Sequence, residues 1–316
     1  MAGTFTHWMV VEEAINRLNN DITNQHNYFS IILKKNHFVN LGAVGPDYPY
    51  LSEILKNPLK KHHSWADRMH YENTGEVVKL GATELTTLPA IEFEVCLAWL
   101  CGYVSHIIAD VTIHPVVNAI VGPYVFNSDE HRHCEMTQDS YIFHHITNNE
   151  LDYAGYTNLV TLCSDPTNKN RINPTIGKFW KELLIASHPG ANKHFDQINP
   201  DDWHECFISR ITEAATGGLP IPFFRHWQED KSIAYKKTED ISTDERQRFI
   251  EKIKLPNGKI GEFKTDAFDK AVDNVINVWQ ELFKDIGNKT TGNCSKYIKN
   301  WNLDTGVDEN QIYFWS

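Results

Sequence analysis

The chain has 316 residues, of which 41% are hydrophobic and 12% aromatic, so it can bury a large core and is not disordered. Its formal net charge of −11 excludes an overall electrostatic attraction to nucleic acid, which is itself a polyanion. The chain also contains 16 histidines, many of them between residues 1 and 145. We therefore expect one domain over residues 1–316, with metal ligands in residues 1–150 and helical completion of the fold in residues 151–316.

The amino terminus has no basic region followed by a cleavable apolar segment. No run reaches the roughly 18 to 20 apolar residues that span a bilayer. These features predict a cytoplasmic protein with no transmembrane segment. Leaderless export and peripheral contact with a membrane both remain compatible with them.

The first half of the chain begins with an amphipathic helix over residues 6–18, which carries His7 in its first turn. Residues 41–50 contain two glycines and two prolines, so this stretch predicts a loop. Residues 64–67, Ser-Trp-Ala-Asp, read as a capping box that starts the next helix.

An almost uninterrupted apolar helix follows from Ile91 to Ile113, and Pro115 is predicted to end it. Asn257-Gly258 is a good hairpin turn. We therefore predict that the fold belongs to the all-α class. It would be a single multi-helix domain with a small β-hairpin insertion late in the chain. Further helices are predicted over residues 138–147, 176–186, 203–215, 243–252 and 265–283.

The long helix carries His106, Asp110 and His114 at intervals of four residues, so the three side chains share one face. A buried carboxylate would cost several kcal/mol in lost solvation unless a cation met it there. His131 and Glu135 form a second pair at helical spacing. Imidazole and carboxylate ligands together favour zinc over calcium or magnesium.

The candidate metal ligands are histidines and acidic residues that precede residue 150. They are His7, Asp47, His62, His63, His106, Asp110, His114, His131 and Glu135. This set is too large for one tetrahedral ion. Spacing alone does not decide between His62 and His63, and we favour His63.

The order and spacing of these residues resemble the zinc-dependent phospholipase C family, an all-helical fold related to the S1/P1 single-strand nucleases. The four-residue step from Asp110 to His114 is most similar to the amino-terminal domain of glycosylphosphatidylinositol-specific phospholipase D. The local patterns that carry the resemblance are residues 6–11, Gly45-Pro46-Asp47-Tyr48, the histidines before Ser64-Trp65, residues 105–110 and His131-x-x-x-Glu135.

The resemblance implies a cluster of two to three zinc ions. It assigns one ion to Asp47, His63, His106 and Asp110, and a second to His114, His131 and Glu135. A third would take His7 and a bridging oxygen of Asp110. In secreted relatives a mature amino-terminal tryptophan completes that third site, whereas here Met1 lies six residues before His7.

The implied activity is zinc-dependent hydrolysis of a phosphodiester, with phospholipase C-type cleavage of a phospholipid or a related small phosphate ester. Asp47 is the expected catalytic residue, because its Gly/Pro-shaped loop would aim it at the metal cluster. The aromatic residues Trp8, Tyr48 and Trp65 lie next to the ligands in sequence and are candidates for substrate binding. Ordinary core packing is the alternative for all three.

Two other functions remain open. A single-strand nuclease of the S1/P1 type is disfavoured by the acidic net charge and by Glu135, where those nucleases differ. The other is a non-catalytic helical protein that zinc stabilises. A phospholipase releases phosphorylated headgroup, a nuclease cuts single-stranded nucleic acid, and a structural zinc protein does neither.

Overall fold

The computed structural model describes residues 3–20, 27–50, 65–151, 158–191, 198–215, 235–290 and 292–316. Helices dominate, and the all-α class is confirmed. The helices are α1 (Thr4–Asn20), α2 (Asn27–Lys34), α3 (Asn36–Ala43), α4 (Trp65–Tyr71), α5 (Thr74–Leu85), α6 (Ala90–Val121), α7 (Tyr124–Thr147), α8 (Pro174–Ser187), α9 (Pro200–Ala215), α10 (Thr243–Arg246) and α11 (Asp269–Asn288). Two π-helical turns, Gln247–Glu251 and Phe263–Phe268, follow α10 and precede α11.

Helix α6 is the centre of the fold. Every residue from Val95 to Val117 is buried, and α1, α3, α5, α7, α8 and α11 pack around the helix. By length and composition alone α6 would pass for a membrane span, but its apolar window is wholly buried inside the fold. A helix that is apolar on all sides suits this central position.

Pro115 lies inside α6, so the predicted end of the helix just before it is wrong. A proline within a helix removes one backbone hydrogen bond and crowds the carbonyl four residues earlier. Residues near the carboxyl terminus cover this turn. Trp315 Nε1 donates to Thr112 O at 2.9 Å, and a Cβ on Gly306 would lie only 2.8 Å from Pro115 and 3.2 Å from the carbonyl oxygen of Val111. The helix continues because this segment packs on the turn that the proline weakens.

The backbones of α3 and α6 touch where Gly42 faces Gly102. A Cβ on Gly102 would overlap the carbonyl oxygen of Val39, and one on Gly42 would overlap that of Trp99. Only glycine allows two helices to approach this closely. The contact brings the end of α3 against the face of α6 that carries the candidate ligands.

The stretch predicted as a loop is more regular than expected. Helix α3 runs to Ala43, and a 3₁₀ turn follows over Gly45–Asp47. Pro46 lies in the first turn of this short helix, where its missing N–H is not needed. Asp47 is the last residue of this turn.

The late hairpin is confirmed: β1 (Ile253–Lys254) pairs with β2 (Ile260–Gly261). A second antiparallel pair, β3 (Trp301–Asn302) with β4 (Val307–Asp308), was not predicted. The buried apolar side chains include a cluster that reaches from Phe5 to Leu303. The division of the chain at residue 150 stays a prediction.

Candidate metal centre

Three of the candidate ligands lie on one face of α6, as their spacing predicts. His106, Asp110 and His114 are each 0% exposed. Because four residues advance a helix by about 6 Å, Asp110 sits one turn from a histidine on either side. The central helix therefore carries groups that can serve two neighbouring clusters.

The first cluster consists of His7, Asp47, His70, His106 and Asp110. Asp110 Oδ1 lies 3.3 Å from His7 Nε2, and its Oδ2 lies 3.3 Å from His106 Nε2 and 3.7 Å from His70 Nε2. Asp47 Oδ1 lies 3.2 Å from His70 Nε2 and 3.9 Å from His106 Nε2. The two oxygens of Asp110 thus face different histidines, which suits a carboxylate that bridges two ions.

Backbone hydrogen bonds fix the tautomers of two histidines in the first cluster. His106 Nδ1 donates to Ala43 O at 2.8 Å, and His70 Nδ1 donates to Ala66 O at 2.7 Å. Because a carbonyl oxygen only accepts, the proton of each neutral ring is on Nδ1 and the lone pair is on Nε2. The two Nε2 atoms are 3.3 Å apart. In the neutral rings two lone pairs would therefore face each other beside two carboxylates, and a cation between them would relieve the repulsion.

The second cluster, His114, His131 and Glu135, joins α6 to α7. Glu135 Oε1 lies 3.3 Å from His114 Nε2 and 3.6 Å from His131 Nδ1. The far nitrogen of each ring is bonded to backbone: His131 Nε2 donates to Gly122 O at 2.6 Å, and His114 Nδ1 to Asp304 O at 3.2 Å. Both rings therefore direct a lone pair toward the same carboxylate, as metal-binding histidines do.

The acidic groups of the first cluster are held in their ionised form. Burial works to raise the pKa of Asp110, but His106 and His7 outweigh it and the pKa falls well below its usual range. The pKa of Asp47 is lowered as well, because His106 and His70 outweigh its burial. Burial lowers the pKa of His7, and His106 lowers it further. The pKa of His106 is itself raised, because Asp47 and Asp110 outweigh its burial. Ionised carboxylates beside a neutral imidazole create a site that attracts a cation.

The donor set fits zinc. Within the described part of the chain, His7 Nε2, Asp47 Oδ1, His114 Nε2 and His131 Nδ1 are buried and make no hydrogen bond, which is costly unless an ion meets them. Imidazole nitrogens with carboxylate oxygens are the ligands that zinc takes. Among the residues that the structure describes, three groups have ligand atoms within 4.8 Å of one another: His7, His106 and Asp110; Asp47, His70 and His106; and His114, His131 and Glu135.

His70 was not among the ligands proposed from the sequence, although it is 0% exposed and central to the first cluster. His62 and His63, which were proposed, lie outside the described residues. His70 has no candidate partner four residues away in sequence, so no spacing pattern points to it. Its place depends on how α4 docks against α6.

The three aromatic residues considered for substrate binding are buried. Trp8 Nε1 donates to Asn40 O at 3.1 Å, and Tyr48 Oη lies 3.3 Å from His204 Nδ1. Trp65 is 1% exposed. This burial favours the alternative of core packing, and a role in substrate binding stays a prediction for all three.

Asp139 on α7 holds the start of α1, the helix that carries His7. Its carboxylate accepts hydrogen bonds from Thr6 N at 2.7 Å, Phe5 N at 3.2 Å and Tyr235 Oη at 2.9 Å. Burial raises the pKa of Asp139 to about 7, against these donors, which lower it. Asp139 lies one helical turn after Glu135, so α7 supplies two ligands, His131 and Glu135, and also fixes the helix that carries His7.

Comparison with known families agrees with this geometry. A family profile described as zinc-dependent phospholipase C matches residues 6–190, a span that covers more than half of the chain and includes both clusters. No curated protein and no solved structure was found to match the chain. Its histidines and carboxylates form two buried clusters beside one central helix, and the chain belongs to the zinc-dependent phospholipase C family.

Proposed function

We propose that the protein hydrolyses the phosphodiester bond of a phospholipid, using two to three zinc ions held by the first and second clusters. The observation that carries this proposal is Asp110, whose two oxygens face histidines from different helices. When bound, zinc supplies Lewis acidity that neutralises charge on phosphoryl oxygens and makes water more acidic. The family match supports a hydrolytic use of these ligands over a purely structural one.

Asp47 is the residue to which we assign proton acceptance from the attacking water. Its lowered pKa keeps it ionised at neutral pH. It stands on the short 3₁₀ turn that follows α3, whereas Asp110 lies in the middle of α6. A carboxylate that holds a metal would also lie within reach of a water bound beside it, which is what a general base requires.

An apolar pair beside the second cluster supports a lipid substrate. Val125 and Phe126 are each 83% exposed in the first turn of α7. The preceding residue, Tyr124, packs edge-on against the His131 ring at 5.4 Å. Asn127 has non-helical backbone angles, φ −138° and ψ 35°, so a kink separates this first turn from the rest of α7. We assign the pair to contact with a zwitterionic membrane, because the net charge of −11 disfavours an anionic one.

Hydrolysis of phosphatidylcholine vesicles tests the activity. We expect zinc-loaded protein to release phosphocholine, and chelation or Asp47→Asn to slow the release by about a hundredfold or more, as loss of a general base and ligand does. Phosphocholine and cleaved single-stranded DNA are measured in parallel. The exposed Asp244→Asn variant should keep full activity. Cleavage of DNA without phosphocholine release would support the nuclease instead, and zinc binding with neither product would leave a structural role.

Phe126→Ser separates membrane contact from chemistry. We expect slower release from vesicles, by about tenfold, and an unchanged rate on a soluble short-chain substrate, because burying a phenyl ring in lipid contributes about 1.5 to 3 kcal/mol. The matched control is Ile91→Ser: Ile91 is 82% exposed but lies at the start of α6, about 45 Å along that helix from the end that leads into α7. Equal effects of the two variants, or an equal loss on both substrates, would contradict the assignment.

A further inference from the structure

The turn between β3 and β4 lies against both clusters, although it is outside the span matched by the family profile, which ends at residue 190. Leu303 N donates to the carbonyl oxygen of His70 at 2.9 Å. The next residue, Asp304, accepts from His114 Nδ1 through its carbonyl oxygen at 3.2 Å. Two consecutive residues thus contact the backbone of one histidine and the ring of another.

The carboxylate of Asp304 adds a second contact to the same ring. Asp304 Oδ1 lies 3.4 Å from His114 Nδ1, so a charged oxygen faces the same ring nitrogen as the carbonyl oxygen. Tyr71 Oη donates to Asp304 Oδ2 at 2.7 Å, and Asn118 Nδ2 donates to Asp304 O at 2.5 Å. These donors hold both acceptor groups of Asp304 in place.

The shape of the turn explains how Asp304 reaches the ring. Asn302 Oδ1 accepts from Asp304 N at 3.0 Å and Thr305 N at 3.1 Å, which closes a tight turn. Gly306 follows with φ +67°, a conformation that favours glycine, and it packs against Pro115, next to His114 on α6. The turn is thereby fixed on the helix beside the ligand.

We propose that Asp304 is a positioning residue for the second cluster: it fixes the Nδ1–H tautomer of His114 and makes Nε2 a stronger zinc ligand. This inference rests on the proposed use of the cluster for zinc. A carboxylate bonded to the far nitrogen of a metal-binding histidine raises the basicity of the ring, and its loss typically weakens binding by about 10- to 100-fold. The carboxyl-terminal hairpin would then be part of the metal centre.

Asp304→Asn tests the proposal because the amide keeps the size and the backbone carbonyl but loses the charge. Zinc affinity is measured by competition with a chromophoric chelator, and cobalt-substituted protein reports the ligand field by its visible absorption. We expect one ion per chain to bind about 10- to 100-fold more weakly, with an altered cobalt spectrum. The thermal midpoint of the chelated variant should equal that of the chelated wild type. Glu309→Gln, which changes a carboxylate bonded to Asn300 in the same hairpin region, should bind zinc as the wild type does.

The outcomes separate this inference from the proposed function. Unchanged zinc affinity and cobalt spectrum in Asp304→Asn would overturn the inference even if the wild type hydrolyses phospholipid. A drop in the thermal midpoint of the chelated variant would overturn it too, because Asp304 would then act on the fold. Weaker zinc binding in Asp304→Asn, combined with a wild type that has no hydrolytic activity, would support the inference and contradict the proposed function.

Discussion

Replacing Asp110 with asparagine is expected to reduce bound zinc from two or three ions per chain to one at most, and to slow phospholipid hydrolysis by about a thousandfold or more. Asp110 contacts His7 through one oxygen and His106 through the other, so its charge serves both parts of the first cluster. A neutral amide cannot bridge two ions. A loss of about 4 kcal/mol of electrostatic stabilisation corresponds to three orders of magnitude in rate.

The measurement is metal content by plasma mass spectrometry, followed by phosphocholine release from vesicles. Asparagine has nearly the size of aspartate, so the variant should keep the helical circular dichroism of the wild type. Asp273→Asn is the matched control, since the Asp273 side chain is 65% exposed on α11. Zinc content equal to that of the wild type in Asp110→Asn would contradict the assignment of Asp110 as the shared ligand.

Local spacing was enough to predict the part of the site that a single helix carries. His106, Asp110 and His114 share a face because the helix repeats every 3.6 residues, and His131 and Glu135 lie together for the same reason. The apolar residues between the first three predicted the burial of the helix. A buried carboxylate in such a helix already indicates a cation, before any other element is placed.

The contacts that join distant segments could not be predicted from spacing. His70 reaches the first cluster because α4 docks on α6, and Asp304 lies 190 residues after His114 in sequence. The course of α6 past Pro115 also depends on distant residues, since Trp315 donates to Thr112 O. A local rule that ends a helix at proline fails where tertiary packing covers the weakened turn.

Gly102→Ala is expected to destabilise the protein by about 3 kcal/mol, at the upper end of the usual cost of overpacking. The new methyl group would overlap the carbonyl oxygen of Val39 and come within 2.8 Å of Ala43 N. Both are backbone atoms, so no side chain can rotate away and α3 must separate from α6. This movement would pull Ala43 O from His106 Nδ1, now 2.8 Å away, and would shift the turn that carries Asp47. We therefore expect weaker zinc binding together with lower stability.

Gly45→Ala is the matched control for Gly102→Ala, because Gly45 lies at the start of the turn that carries Asp47 and a Cβ there would meet its nearest atom at 3.6 Å. That distance is ordinary van der Waals contact, so the variant should fold and bind zinc as the wild type does. Urea unfolding of the chelated proteins measures the change in stability without the contribution of zinc. If the chelated Gly102→Ala variant and the chelated wild type unfolded at the same urea concentration, α3 and α6 would be shown to tolerate separation. The alignment of Asp47 with His106 would then have to come from contacts other than the glycine crossing.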